Sequence, residues 1–214
     1  LAEFVDYSFD NNVPLLAHCN GDAAVDQLIH VIAAANQRFG KADRRPVAIH
    51  AQTVREDQIE AMKREGIVPS YFVAHTYFWG DWHRDSVLGK QRAERISPLR
   101  STANRQLVYT VHNDTPVVPP DMMRLLWTAV NRVTRSGEIL GKSERVTVME
   151  GIKAMTLHAA YQMFEEDDKG SLEVGKRADL VILSDNPLEV DPMAIRYIAV
   201  VETIKDGESV FIRQ

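Results

Sequence analysis

The sequence predicts an α/β protein in which half of a (β/α)₈ barrel is followed by a small β-domain. Short apolar runs alternate with amphipathic stretches of ten or more residues, which is typical of βαβ units in a parallel sheet. Three of these runs end in a histidine or an aspartate. The alternation then gives way to short strand-like runs around glycine turns. We therefore predict two domains, at 1–164 and 165–214.

Four apolar runs are the predicted strands of the parallel sheet. They lie at 13–19, 46–52, 67–74 and 107–112. A parallel strand that is buried on both faces reads as a continuous apolar run, as these four do. Four consecutive strand–helix units correspond to half of a (β/α)₈ barrel.

The segments beside these strands have helical periodicity. Helices are expected at 1–11, 22–39, 55–64, 122–135 and 147–164. In the second of them, Val25, Leu28 and Ile32 fall on one helix face, and Gly40 marks the end. The segment 75–106 is too long for an ordinary connection, so we expect it to contain a short helix and a functional loop.

The C-terminal part has a different pattern. The segment GSLEVGKRADLVIL, at 170–183, reads as a turn, a strand, a second glycine turn and an apolar strand. Further strands are expected at 198–205 and 209–212, joined by Asp206-Gly207. Asp-Gly between two alternating runs is a strong hairpin signal. This part is therefore predicted to be a small β-domain beside the barrel.

Composition excludes several classes of protein. The net charge of −5 offers no basic surface for nucleic acid. No apolar run approaches the roughly 20 residues that a membrane span needs. The single cysteine, Cys19, rules out an internal disulfide framework, which fits a reducing compartment and a cytoplasmic location. The expected partner is a small molecule, and a homo-oligomer is compatible with the sequence.

Three residues that can bind a metal stand at the C-terminal ends of apolar runs. They are His18 in VPLLAHC, His50 in PVAIHAQ and Asp114 in LVYTVHND. In α/β barrels such strand ends form the active site, so the three side chains are expected to meet. Two imidazoles and a carboxylate suit a divalent transition metal such as Zn²⁺. The alternative is that the histidines are buried core residues with satisfied hydrogen bonds.

Several motifs, in order and spacing, resemble the metal-dependent amidohydrolase superfamily. They are AHCNGDAAVDQ, AIHAQ, PSYFVAHTYFWGDW, HNDTPVVPPDMM and GSLEVGKRADLVILSDNPL. The resemblance is strongest to the branch that contains N-substituted formamide deformylase (amidohydrolase family 3), and it covers nearly the whole chain. It implies the C-terminal half of a (β/α)₈ TIM-type barrel, strands five to eight, with part of a small β-sandwich domain.

The resemblance also implies roles for the strand-end residues. His18 and His50 would be the metal ligands of the fifth and sixth strands, and Asp114 would bind metal and transfer a proton. The family needs a His-x-His pair from its first strand, and no such pair occurs here. The chain also begins at Leu1 rather than Met. We therefore interpret the chain as the C-terminal part of a larger enzyme, inactive in isolation.

Four more residues are candidates for substrate binding. His75, Trp79 and Asp81 lie in an aromatic segment just past the third strand, which suggests a wall that faces the substrate. An ordered loop that packs on the barrel rim is the alternative. His112 lies two residues before Asp114 and shares its face, so it is expected to orient the aspartate or to pack at the rim.

The predicted function is metal-dependent hydrolysis of a C–N bond, of the amide or formamide type. A bound metal lowers the pKa of water to about 7, and Asp114 would carry the proton to the leaving group. Zinc is the expected ion. The alternative is a non-catalytic half-barrel, a binding or structural module with an incomplete metal site.

Overall fold

Two separate sheets organise the chain, and the computed structural model describes residues 1–214. The first is a parallel sheet of four strands in sequential order. These strands are β1 (Leu16–Cys19), β2 (Val47–His50), β3 (Val68–Tyr71) and β4 (Thr110–Val111). The sheet is open, because β1 and β4 each have a neighbour on one side only.

Helices connect and cover these strands. They are α1 (Ala2–Asn11), α2 (Asp22–Phe39), α3 (Glu56–Glu65), α4 (His75–Trp82), α5 (Gly89–Ala93), α6 (Leu99–Asn104), α7 (Met122–Asn131), α8 (Val148–Met155) and α9 (Leu157–Gln162). None of them combines the length and the apolar character needed to cross a membrane. In α2, the buried face comprises Val25, Leu28, Ile32 and Ala35, spaced as an amphipathic helix requires. This face packs with residues of α1, α3 and the sheet into one apolar core.

The second sheet is antiparallel and lies wholly within the predicted C-terminal domain. Its strands are β5 (Leu180–Leu183), β6 (Val200–Lys205) and β7 (Glu208–Ile212), in that order. Asp206 and Gly207 join β6 to β7, and both have a positive φ, as the predicted hairpin turn requires. The parallel sheet lies wholly within 1–164. The boundary between the two domains stays a prediction.

The segment 75–106 is more regular than predicted. It contains α4, a π-helical turn at His83–Val87, then α5 and α6, rather than one short helix in a loop. The predicted strand at 170–174 is absent. The predicted helix 147–164 is divided into α8 and α9 at Thr156, whose φ and ψ of −122° and −87° are not helical. No glycine or proline adjoins Thr156 in the sequence to signal this break.

Candidate metal centre and substrate cleft

His50, His112 and Asp114 form the tightest group of metal-binding side chains. Their ligand atoms all lie within 4.8 Å of one another. Nδ1 of His50 and Nε2 of His112 are 3.2 Å apart. His50 ends β2 and is buried, while His112 and Asp114 follow β4 and are half-buried. Because β2 and β4 run parallel, their C-terminal ends lie on the same side of the sheet. Together these two ends supply two imidazoles and one carboxylate.

The backbone turns sharply at these positions. The φ angles are +75° at His50, +44° at Ala51 and +53° at Asp114. Residues other than glycine seldom adopt this left-handed region, and such outliers concentrate at functional sites. The turns end the strands and direct the His50 and Asp114 side chains across the sheet edge.

His18 stands beside this group, on β1. Its ring centroid is 4.6 Å from that of His50, with the planes at 75°. The side chain is exposed and faces the same cleft as His50 and Asp114. The sequence-predicted ligands His18, His50 and Asp114 are therefore neighbours in space, and the His112 ring centroid lies 5.1 Å from that of His50.

Burial keeps the imidazoles of this region neutral. Desolvation, with the neighbouring charge of His50 as a smaller cause, lowers the pKa of His112 to about 4. Desolvation also lowers the pKa of His50, and the Asp114 carboxylate only partly offsets it. The pKa of His75 falls to about 3, mainly by burial and secondarily by the nearby histidines. A neutral imidazole retains the lone pair that a metal needs.

Ser70 on β3 fixes the ring of His112. Its Oγ lies 2.9 Å from Nδ1 of His112, and Ser70 is itself buried. When Nδ1–H donates a hydrogen bond to Oγ of Ser70, Nε2 carries the lone pair and lies next to His50 and Asp114. A hydrogen bond to the second ring nitrogen is the usual way in which a protein orients a histidine ligand. A donor set of two neutral imidazoles and one carboxylate fits a divalent transition metal.

A cleft of about 310 Å³ opens above this group. Its polar wall is made of His18, His50, Asp114 and the carboxamides of Asn20 and Gln52. Four apolar residues also line the cleft: Phe72, Trp79, Trp82 and Val117. Trp82 stands at the mouth of the cleft with 56% of its surface exposed. The cleft thus joins a metal-binding edge to an aromatic surface.

His75 and Trp79 occupy the predicted position. Both line the cleft from α4, with their ring centroids 5.9 Å apart. Nδ1 of His75 is buried and has no hydrogen-bond partner in the protein.

Asp81 departs from its predicted place in this wall. Its carboxylate accepts hydrogen bonds from Oγ1 of Thr134, at 2.8 Å, and from Oγ of Ser136, at 2.7 Å. The backbone N–H of Ser136 donates to the same carboxylate at 3.1 Å. Asp81 therefore ties α4 to the turn that follows α7, and it lies outside the cleft.

Sequence reasoning missed Asn20, Gln52 and Ser70 as site residues. Asn20 and Gln52 each come two residues after a predicted ligand, and this closeness in sequence was the available signal. Ser70 offered no such signal, because it lies inside an apolar strand and its partner comes from another strand.

Comparison with known proteins agrees with this geometry. The model of the amidohydrolase family matches residues 1–211. A putative amidohydrolase of Bacillus subtilis, YtcJ, is 25% identical over 217 residues, which is 99% of this chain and 40% of YtcJ. The N-substituted formamide deformylase of Arthrobacter pascens is 27% identical over 199 residues, 91% of this chain and 36% of the deformylase.

A solved structure shows the same architecture. An uncharacterized metal-dependent hydrolase from Pyrococcus furiosus superposes with a TM-score of 0.74 at 26% identity. The match covers 88% of this chain and 37% of that protein. The chain thus spans less than half the length of each of these relatives.

Proposed function

Because the chain belongs to the amidohydrolase family, we propose that it carries part of the active site of a metal-dependent hydrolase that cleaves an amide or formamide C–N bond. The observation that carries this proposal is the convergence of His50, His112 and Asp114 at the C-terminal ends of the parallel strands. The similarity to a formamide deformylase supports the choice of bond.

The proposed metal ligands are His18, His50 and Asp114, and His112 is either a further ligand or the group that orients them. Zinc is the proposed ion, since it accepts imidazole and carboxylate together. When bound, such an ion polarises a carbonyl oxygen and makes water a stronger acid.

Asp114 is the proposed proton carrier. Its carboxylate takes one proton from the attacking water, whose oxygen bonds to the carbonyl carbon of the substrate. The C–N bond then breaks, and Asp114 delivers that proton to the leaving nitrogen. The products are a carboxylic acid, or formic acid from a formamide, and an amine. His75 and Trp79 are the proposed substrate contacts within the cleft.

We propose further that other parts of the site come from a portion of the protein outside these 214 residues. Two observations support this. The relatives are more than twice as long as the matched region, and β1 and β4 have free edges next to the candidate ligands. The full-length protein, meaning this chain together with that portion, is then the competent enzyme.

Loss of His50 tests the proposed function. In the full-length protein, His50→Ala should lower zinc affinity about a hundredfold or more, because loss of an outer-shell partner alone typically costs ten- to a hundredfold. Hydrolysis of an N-substituted formamide should fall with it. The measurements are zinc content after dialysis and amine release.

The matched control is His30→Ala, since His30 is exposed on α2, away from the cleft. It should leave zinc content and turnover unchanged. Normal zinc content and hydrolysis in His50→Ala would refute the proposed metal site.

A further inference from the structure

Two consecutive left-handed residues form the turn at the end of β2. His50 and Ala51 have φ angles of +75° and +44°, and neither is a glycine. Residues other than glycine keep such a conformation only where the surrounding structure imposes it. The hydrogen bonds around this turn therefore determine how firmly the His50 ring is held.

Hydrogen bonds from two directions hold the turn. On one side, the N–H groups of Ala51 and Thr53 donate to carbonyls at the end of β1, at 3.0 and 3.2 Å. On the other side, the N–H of Ser97 donates to the carbonyl of Gln52 at 2.7 Å. Since β1 has a free edge, the bond from Ser97 is the one that ties the turn to the interior of the protein.

Ser97 is itself in a conformation that must be imposed. It lies between α5 and α6, is fully buried, and has a φ of +47°. No regular helix or strand fixes its N–H, so the position of this donor depends on what holds the carbonyl groups of the same link.

Arg132 holds that link. Its fully buried guanidinium donates from Nη1 to the Ser97 carbonyl at 3.1 Å and from Nη2 to the Ile96 carbonyl at 2.7 Å. Its Nε donates to the Leu140 carbonyl at 2.8 Å, and the Leu140 N–H donates back to the Arg132 carbonyl at 2.9 Å. A guanidinium presents its donors in a rigid planar fork, which fixes these carbonyls relative to one another.

We propose that Arg132 is a positioning residue for the metal centre. It fixes Ser97, and Ser97 fixes the Gln52 carbonyl and with it the turn that presents His50. The inference rests on the proposed function, in which His50 is a metal ligand. Groups outside the ligand set that orient a ligand contribute strongly to metal affinity, and here the contribution is transmitted by main-chain hydrogen bonds.

The variant Arg132→Gly tests this role in the full-length protein. Arg132 is the left-handed C-cap of α7, with a φ of +53°, a place that favours glycine, so the end of the helix is retained. We expect the Kd for zinc to rise about tenfold or more, as for other groups that orient a ligand. The visible spectrum of the Co²⁺-loaded protein, which reports ligand geometry, should change as well.

A second buried arginine provides the matched control. Arg45 also has a left-handed backbone, with a φ of +45°, and its side chain is 9% exposed. It donates to the carbonyl of Tyr161, and it precedes β2, at the end opposite His50. Arg45→Gly should destabilise the fold and leave the zinc Kd and the Co²⁺ spectrum unchanged. An unchanged zinc Kd in Arg132→Gly, or equal changes in both variants, would overturn the proposal.

Hydrogen exchange on the unmodified full-length protein gives a measurement that needs no variant. Exchange of the Ser97 N–H requires that its bond to Gln52 opens. If this opening also releases His50, zinc in large excess over its Kd should slow the exchange at least about tenfold. The Gly207 N–H, which is bonded to the Ala178 carbonyl beside the C-terminal sheet, should exchange at an unchanged rate. Exchange of Ser97 that zinc does not slow would overturn the proposal, whether or not Arg132→Gly folds.

Comparison with His50→Ala separates this inference from the proposed function. Loss of zinc affinity in His50→Ala but not in Arg132→Gly would keep the metal site and reject the role of Arg132. Unchanged affinity in His50→Ala would reject the metal site and this inference with it. Reduced affinity in both variants, with no formamide hydrolysis by the unmodified protein, would reject the proposed reaction and retain Arg132 as a positioning residue.

Discussion

At the residue scale, Asp114 has the surroundings that a proton carrier needs. It is half-buried and follows β4 with a φ of +53°. Its carboxylate and the ring nitrogens of His50 and His112 all lie within 4.8 Å of one another. The left-handed backbone directs the carboxylate over the sheet edge instead of along the strand. In the proposed mechanism this carboxylate would take a proton from the attacking water and deliver it to the leaving nitrogen.

Asp114→Asn is expected to abolish most of the activity and to preserve the fold. The amide has the same shape, but it cannot take up and release a proton as a carboxylate does. In the full-length protein, kcat should fall about a hundredfold or more, the usual size of general acid–base effects. Steady-state kinetics gives the loss, and circular dichroism checks the fold.

A second aspartate controls for the change of charge. Asp167 is exposed in the turn before β5, and Asp167→Asn should keep wild-type kinetics. Full turnover by Asp114→Asn would remove Asp114 from the mechanism.

At the element scale, hydrogen bonds at the N-terminus of α8 hold this helix against α6. Thr147 and Glu150 form a capping box, in which the backbone N–H of Thr147 donates to Glu150 at 2.7 Å. Arg100 on α6 binds the same carboxylate with two hydrogen bonds of 2.6 and 2.8 Å. The pair links α6 to α8.

This carboxylate gives α8 a pH-dependent contribution to stability. The Arg100 hydrogen bonds are the largest cause that lowers the pKa of Glu150, from 4.5 to about 2, against the opposing effect of burial. A lowered pKa stabilises the fold when the group is ionised, so the contribution is complete above pH 4.5. It is lost as the pH falls towards 2.

Glu150→Gln tests this contribution. At pH 7 the variant should unfold more easily by about 1 kcal/mol, a value kept small because Glu150 is one-third exposed. The difference from wild type should shrink between pH 4.5 and 2. Urea unfolding at several pH values measures it, and a difference that stays constant with pH would contradict the assigned cause.

Some elements of the fold could be predicted from the sequence and others could not. β1, β2, β3 and α2 were predictable, because apolar runs and a helical face report burial directly. The helices of 75–106 were not predictable, since they are short and the segment has no single apolar face that repeats with helical spacing. The break at Thr156 depends on tertiary packing, which periodicity does not record.

The same holds for the site. His50 and Asp114 were predictable as polar residues at the ends of apolar runs. His112 was predictable because it lies two residues before Asp114. The partners of Asp81, which are Thr134 and Ser136, could not be foreseen, because they are more than fifty positions away in sequence. Pairing across such distances depends on the fold and leaves no local pattern.

At the scale of the whole molecule, the open sheet limits what these residues achieve alone. His18 is on β1 and Asp114 follows β4, and these are the two strands with one free edge each. Only His50 comes from a strand with neighbours on both sides. A catalytic metal needs ligands that are rigidly placed, and strand edges without partners are the least constrained parts of a sheet.

We therefore expect the 214-residue chain on its own to bind zinc weakly and to show no amidase activity. The free edges of β1 and β4 allow His18 and Asp114 to move relative to His50, which weakens every ligand set that includes them. Metal analysis after dialysis, with an assay of formamide hydrolysis, checks both points. Stoichiometric zinc that survives dialysis, together with amine release, would show that the four-stranded sheet already holds a complete site and needs no further part of the protein.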